Sequence, residues 1–536
     1  MNNSISLDLA DIQGNIIKSY GRYGFPYARY ILFSVHDGDA GRKFVRELTP
    51  LVTTAVAWKQ KEGAEGLHKP DSTLNIAFTY HGLKSLGLCD ESLHSFPSDF
   101  TEGMRTRREI LGDDQKSAPE YWDPVWCHEE HRVAIWVAIN AQSMEALEKA
   151  YAVLQQKLTL VGPGVIQLHG HRGENGADNL PYQEAAALFD DAGKVTPKEH
   201  FGYTDGISDP FFKGTGENPA YVLGAGKPNG RNPASPFGWD ALEPGEFIMG
   251  LRDEAKEQSA TPSPYLLGKN GTFMVYRKLH ENVGSFNSYL EQEAARHPEN
   301  DKELIAAKFA GRWRNGAPLA LFPQEKEADA FMKELQDTRH ALHNARGMLQ
   351  EAELEIKYLT LLSKLVGFDY KDDLQGSRCP LGAHIRRANP RGSLEFGQKD
   401  AFNTPGALSN RRRILRRGLP YGNASDKTDN GNHGIIFMAL AASISRQFEF
   451  VQQQWINYSN DFKLANEKDP LTGNNACDKE GNGQGRMQFP AEPGSGKSPH
   501  FCKGIPRFIE TRGGEYFFIP SLTALNMIGN GTVDPT

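Results

Sequence analysis

The chain has 536 residues, 39% of them apolar and 24% charged, with a formal net charge of −7. That length exceeds one compact core and predicts two or three domains. The acidic balance argues against nucleic acid or an anionic membrane as partner, and the longest apolar run, "IIFMALAA" at 435–442, is far too short to cross a bilayer.

The opening "MNNSISLDLADIQ" has neither a basic nor an apolar leader region, so no signal peptide is expected. Strands are predicted at 28–35 ("ARYILFSV"), 72–80 and 131–139, with helices at 40–55 and 143–158 and a further strand at 164–172. This β-α-β, β-α-β order is that of a ferredoxin-like unit, an antiparallel sheet with helices on one face. Residues 216–245, rich in Gly, Pro and Asn, form a connecting loop between an N-terminal half (1–215) and a C-terminal half (246–536). The second half repeats the plan: strands at 271–279, 434–443 and 514–521, each followed by a helical pattern. The fold class expected is α+β, with tandem ferredoxin-like domains of the dimeric α/β-barrel type, antiparallel sheets and peripheral helices.

An insertion at about 325–366 carries a stripe of Phe331, Leu335, Thr338, Leu342, Ala345, Leu349, Ala352, Ile356 and Leu359, stepping by four and three over four heptads. Gly347 lies off the stripe and weakens a helix by about 1 kcal/mol. The stripe predicts a helix packed on its own domain; a projecting arm that makes a homo-oligomer is the second reading.

Five scattered cysteines without a C-x-x-C argue against disulfides and structural zinc and predict a reducing, cytoplasmic setting. Phosphate-binding glycine loops and a G-x-S-x-G elbow are absent. Cys379, five residues before His384, is a weak candidate for a Cys–His pair, and His169 with His171 for a metal pair on a strand face. The richest stretch is 376–422, where His384 is followed by Arg386, Arg387 and Arg391, and "RRRILRR" holds five arginines between Arg411 and Arg417. Apolar residues interrupt the run, as on a strand with some arginines facing inward. An inward arginine requires an anion. A haem supplies two propionates, and a neutral imidazole suits its iron.

"GYTDG" at 202–206, "AHIRRANPR" at 383–391 and "RILRRGLPYG" at 413–422 resemble the three motif segments of the dye-decolourising peroxidases. "DIQGNI" at 11–16 and "GGEYFFIPSL" at 513–522 resemble the two ends of family chains. "AAKFAGRWRNGAPL" (306–319) and "QFEFVQQQWIN" (447–457) resemble the longer, insertion-bearing branch. The resemblance implies haem b, with His384 as proximal iron ligand, Asp205 as distal acid–base residue and Arg416 as distal arginine. It also implies a carboxylate on the proximal histidine, for which Glu449 is the candidate and Asp461 the alternative.

The implied activity is hydrogen-peroxide-driven oxidation of aromatic donors (dyes, phenols) through an oxo-ferryl intermediate, working best at low pH because an aspartate ionises at about pH 4 in water. Trp455 and Tyr458 are candidate electron relays. One departure stands out: Gly418 occupies a position where some branches carry Asn. The rival reading is a non-catalytic haem carrier or sensor on the same fold.

Overall fold

A computed structural model describes residues 6–21, 23–58, 69–128, 130–216, 222–228, 237–297, 301–395 and 407–533. Part of the expected 216–245 loop lies outside the described residues. Strands of the first half are β1 (Tyr27–Val35), β2 (Ser72–Phe78), β3 (Ile135–Ala141), β4 (Val165–Gln167) and β5 (Gln183–Ala186). A short ribbon, β6 (Lys227–Pro228) with β7 (Trp239–Asp240), follows. The second half contributes β8 (Thr272–Glu281), β9 (Leu415–Arg417), β10 (Pro420–Tyr421), β11 (Gly434–Ala441), the hairpin β12 (Gly485–Phe489) and β13 (His500–Ile505), and β14 (Ile509–Ile519).

The main sheet runs β10-β11-β8-β14-β2-β3-β1-β4, with β5 on β1 and β9 on β11. Its pairings are all antiparallel. Each half therefore has the ferredoxin-like order, β4-β1-β3-β2 in the first and β14-β8-β11-β9 in the second, and the two sheets are fused into one. The joint is the Phe518–Phe78 pair between β14 and β2. Rings of Phe96 and Phe518 (centroids 5.4 Å apart) and of Phe100 and Phe273 (5.1 Å) pack over it. The Gln13 amide of "DIQGNI" also spans the joint, donating to Ile76 O and Pro520 O at 2.9 Å each.

β1 reads as a nearly continuous apolar run because both of its faces are buried. Ile31, Phe33 and Val35 face a core completed by Phe44 of helix Gly38–Leu48 and by Leu147 and Leu154 of helix Met144–Val161. Ala28, Tyr30 and Leu32 face the opposite side, where they meet Met274, Tyr276, Met438 and Phe517 from the second half. Period-2 alternation thus puts alternate residues of one strand into two cores.

Three expectations change. The strand expected at 164–172 ends at Gln167, so His169 and His171 share no strand face; His169 is exposed and His171 buried. The heptad stripe is not one helix but a hairpin of helices Glu325–Asn344 and Met348–Val366. The chain breaks where Ala345 turns extended and Gly347 takes φ +144°, a region open to glycine. Phe331, Leu335, Thr338 and Leu359 are buried near the base, whereas Leu349 and Ile356 at the outer end are exposed. The helix expected after β11 is π-helical over Ser445–Glu449 and Val451–Ile456. Its i→i−5 bonds, such as Glu449 N to Ile444 O (3.0 Å), rotate side chains off an α-helical register.

Candidate functional site

Two groups of polar residues come together around the 376–422 stretch. The first is built on the turn His200–Gly206, where Gly202 (φ +91°) and Gly206 (φ +73°) take left-handed conformations that a side chain resists. Asp205 N donates to Pro197 O (2.9 Å) and Thr204 N to Arg314 O (3.1 Å), which pins the turn. Asp205 Oδ1 accepts from Arg416 Nη1 at 2.8 Å, with 27% and 42% of the two side chains exposed. β9 alternates buried–exposed–buried, so Leu415 and Arg417 point inward and Arg416 outward. Arg417 is spent on Asn15 O, Ile16 O and Asp209, and Arg413 reaches toward Ala225 O and Gly226 O. The carboxylate of Asp205 is the main influence raising the Arg416 guanidinium above its usual value. A side chain at Gly418 (φ +111°) has no room, because a Cβ there would lie 1.9 Å from Ile436 O. That explains the missing Asn.

The second group is built on the short helix His384–Ala388. His384 Nδ1 lies 2.9 Å from Asp469 Oδ2, while Asp469 Oδ1 accepts from the backbone N–H of Leu471 and Thr472 at 2.8 Å each. Asp469 is fully buried. Burial alone would raise its carboxyl, but the His384 charge and hydrogen bond, Arg387 and the Thr472 N–H outweigh it and hold the group low. His384 Nε2 has no hydrogen-bond partner among the described residues.

The expected carboxylate partner of His384 is corrected here. Glu449 accepts from Arg107 Nε and Nη2 (2.6 and 2.7 Å) and from Tyr516 OH (2.8 Å), because the π-helix carries it toward β14. Asp461 accepts from Trp455 Nε1 at 3.1 Å. Asp469, in "KDPLTG", was missed because its only local signal is an ordinary Asx turn. Trp455 is buried and Tyr458 is 46% exposed. The Cys379 thiol is buried and pushed up to about 12, which disfavours a thiolate nucleophile. Burial, then the Lys278 and His169 charges, lower His171 to about 3.

Arginines lie between the groups. Gly311 packs against Ile385, the neighbour of His384, where a Cβ would meet its Cγ1 at 2.5 Å. Arg312 follows it. Burial first, and then the charge of Arg391, push Arg312 down to about 10 and Arg413 down to about 9. Burial also lowers Arg391, whose Nη1 is buried without a partner. Among the described residues none of Arg312, Arg391 and Arg413 has a carboxylate in ion-pair range. Arg312 donates to Gly316 O and Leu365 O and Arg391 to Val366 O, at 2.9 Å each. Of the fully buried Arg386 and Arg387, Arg386 pairs with Asp373 and Cys379 O, although its Nε is left without a partner, and Arg387 is held by Gly382 O and Trp455 O.

Glu199 braces the Asp205 turn from behind, accepting from Phe201 N (2.7 Å) and Tyr203 N (2.6 Å). It is hydrogen-bonded to Glu281, and burial pushes Glu199 up to about 7 and Glu281 well above the carboxylate range. Such a pair holds a proton that the unfolded chain releases near 4.5. Stability is therefore full below about pH 4.5 and is lost as pH rises through about 7. Thermal melts should show Tm falling between pH 5 and 7 by the equivalent of about 1–3 kcal/mol. Glu281→Gln, which can donate to Glu199 without a titrating proton, should flatten that slope; an equally steep slope in the variant would disprove the assignment.

Residues 11–174 match the model of the DyP dimeric alpha+beta barrel domain, and residues 371–473 match that of the Dyp-type peroxidase C-terminal domain. These spans take in "DIQGNI", His384, Arg416 and Asp469. The chain belongs to the dye-decolourising peroxidase family. It is 26% identical to Dye-decolorizing peroxidase msp1 of Mycetinis scorodonius, covering 98% of this chain and 88% of the relative. It is 25% identical to the Multifunctional dye peroxidase DyP2 of an Amycolatopsis species, covering 97% and 96%. A solved ancestral D-type dye-decolorizing peroxidase superposes with a TM-score of 0.70 at 26% identity, covering 97% of this chain and 99% of that one. A fungal DyP-type peroxidase from Auricularia auricula-judae superposes with a TM-score of 0.69 at 22% identity, covering 98% and 100%. Family membership places this chain among the peroxidases. No helix among the described residues is long and apolar enough to cross a membrane.

Proposed function

We propose that the chain is a haem b peroxidase that reduces hydrogen peroxide and oxidises aromatic donors such as dyes and phenols. The observation that carries this reading is the His384 imidazole, held at Nδ1 by a buried carboxylate, together with Arg312, Arg391 and Arg413, which have no carboxylate in ion-pair range among the described residues. That donor set fits a haem: His384 would hold the iron, and Arg312, Arg391 and Arg413 would meet its propionates. When bound, the haem supplies the iron and the redox-active ring that take two oxidising equivalents from peroxide and return them to donors one electron at a time.

The protein's own residues set up that chemistry. Asp469 fixes the His384 tautomer, keeping the proton on Nδ1 and the lone pair on Nε2, and makes the ring a stronger donor. The Asp205 carboxylate takes a proton from one peroxide oxygen and returns it to the other, general acid–base work of about 10²–10⁴-fold. Arg416 stays charged across the working pH range and lowers the energy of the negative charge growing on the departing oxygen. The 2.8 Å contact with Arg416 orients the Asp205 carboxylate before substrate arrives. Five free cysteines, two of them buried, fit a reducing, cytoplasmic compartment.

The test is an optical spectrum of the purified protein before and after one equivalent of peroxide, followed by steady-state oxidation of a phenolic and an anthraquinone donor. A Soret band that peroxide shifts, with donor turnover, is the expected result. A protein that takes up no haem on reconstitution ends the proposal, and haem binding without turnover would make the chain a carrier or sensor instead.

A further inference from the structure

The helix Val283–Arg296 and the residue after it carry Glu293 and His297, four apart and therefore on one helical face. Strand β13 carries His500 and Cys502, two apart and therefore on one strand face. The two faces meet. His500 Nε2 lies 2.9 Å from Glu293 Oε1 and 3.4 Å from Cys502 Sγ. His297 Nε2 lies 3.9 Å from the same Glu293 oxygen, and the two imidazole rings have centroids 3.9 Å apart. The ligand atoms of Glu293, His500 and Cys502 all fall within 4.8 Å of one another. Glu293 and Cys502 are buried, and the His297 side chain is 38% exposed.

We propose that Glu293, His297, His500 and Cys502 form a zinc site that fastens the β12–β13 hairpin to helix Val283–Arg296. Around a tetrahedral Zn²⁺, nitrogen and oxygen ligands stand about 3.4 Å apart and nitrogen and sulphur about 3.6 Å apart. The Glu293–His500 and His500–Cys502 separations of 2.9 and 3.4 Å lie within about 0.5 Å of these values, so those three residues supply the preformed part of the shell. His297, with Nε2 3.9 Å from Glu293 Oε1, has to swing its ring away from its contact with His500 to supply the fourth donor. The donors are one oxygen, two imidazole nitrogens and one sulphur, a mixture that selects zinc over the oxygen-seeking magnesium and calcium.

The surroundings agree. Arg296 Nη1 engages Glu293 through Oε2 (3.3 Å), which leaves Oε1 to the cluster. None of the four residues belongs to the Asp205–Arg416 or His384–Asp469 groups. The site therefore clamps structure and takes no part in peroxide chemistry.

The experiment uses the full-length, haem-loaded protein, stripped of loose metal with a chelator, dialysed against zinc chloride and passed through gel filtration. Elemental analysis should find about one zinc per chain, and calorimetric titration with zinc chloride should give saturable binding that raises Tm. Cys502→Ser and His500→Gln should each lose the retained zinc. His297→Gln, which alters only a half-exposed ring and leaves the core packing alone, should weaken zinc binding by about tenfold or more. Retention of no zinc by the native chain would overturn the proposal, as would native stoichiometry and affinity in His297→Gln together with either buried variant.

Discussion

Asp205→Asn should load haem as the native chain does and react with peroxide 10²–10⁴-fold more slowly in stopped-flow. Asn matches Asp in shape and its carbonyl oxygen can still accept from Arg416 Nη1, so the contact at 2.8 Å survives. What disappears is the ability to take up a proton and give it back. The comparison with Arg416→Leu separates two effects. Arg416 is the outward residue of β9, flanked by inward Leu415 and Arg417, so its loss removes charge without disturbing the core. Removing one preorganised donor from developing negative charge costs about 10²–10³-fold. Because each residue holds the other, the double variant should fall short of the product of the two single losses. Native peroxide rates in both single variants would move the acid–base role elsewhere.

His384→Ala should lose haem or bind it without its native ligand, seen as a collapsed or displaced Soret band. Asp469→Asn should retain the fold but weaken haem retention by about 10–100-fold, since the imidazole keeps its place but loses the carboxylate that polarises it. The control is Glu449→Gln. Glu449 sits between Arg107 and Tyr516, so this variant should melt earlier and leave the haem spectrum unchanged. A spectrum altered by Glu449→Gln and not by Asp469→Asn would reverse the assignment of the proximal carboxylate.

Much of the fold was legible because its signals are local. The β-rich runs at 28–35, 72–80 and 434–443 and the helical pattern that follows the first of them bury regular faces, and periodicity reports that directly. Errors fell where a local pattern was continuous but the chain was not. The heptad stripe runs unbroken through Ala345, yet the helix folds back there because Gly347 permits a turn and two antiparallel helices bury more than one free arm. Leu349 and Ile356 keep the stripe's spacing and remain exposed. Glu449 occupies a plausible helical position, but an i→i−5 register turns it toward Arg107, and neither spacing nor propensity signals a π-helix.

The sequence by itself singled out the residues proposed to carry chemistry: Asp205 between glycines, His384 ahead of arginines, and Arg416 on an alternating strand. They stood out because three segments resemble, in order, the motif segments of the dye-decolourising peroxidases; local pattern alone would have left Asp205 a turn aspartate. Only the tertiary structure decided how the distant residues pair. Asp205 meets Arg416 across 211 residues, and His384 meets Asp469 rather than Glu449 across 85. Hydrogen bonds of this kind depend on where sheet register and loop closure deliver a side chain. A buried carboxylate 85 residues away leaves no more local trace than any other turn aspartate.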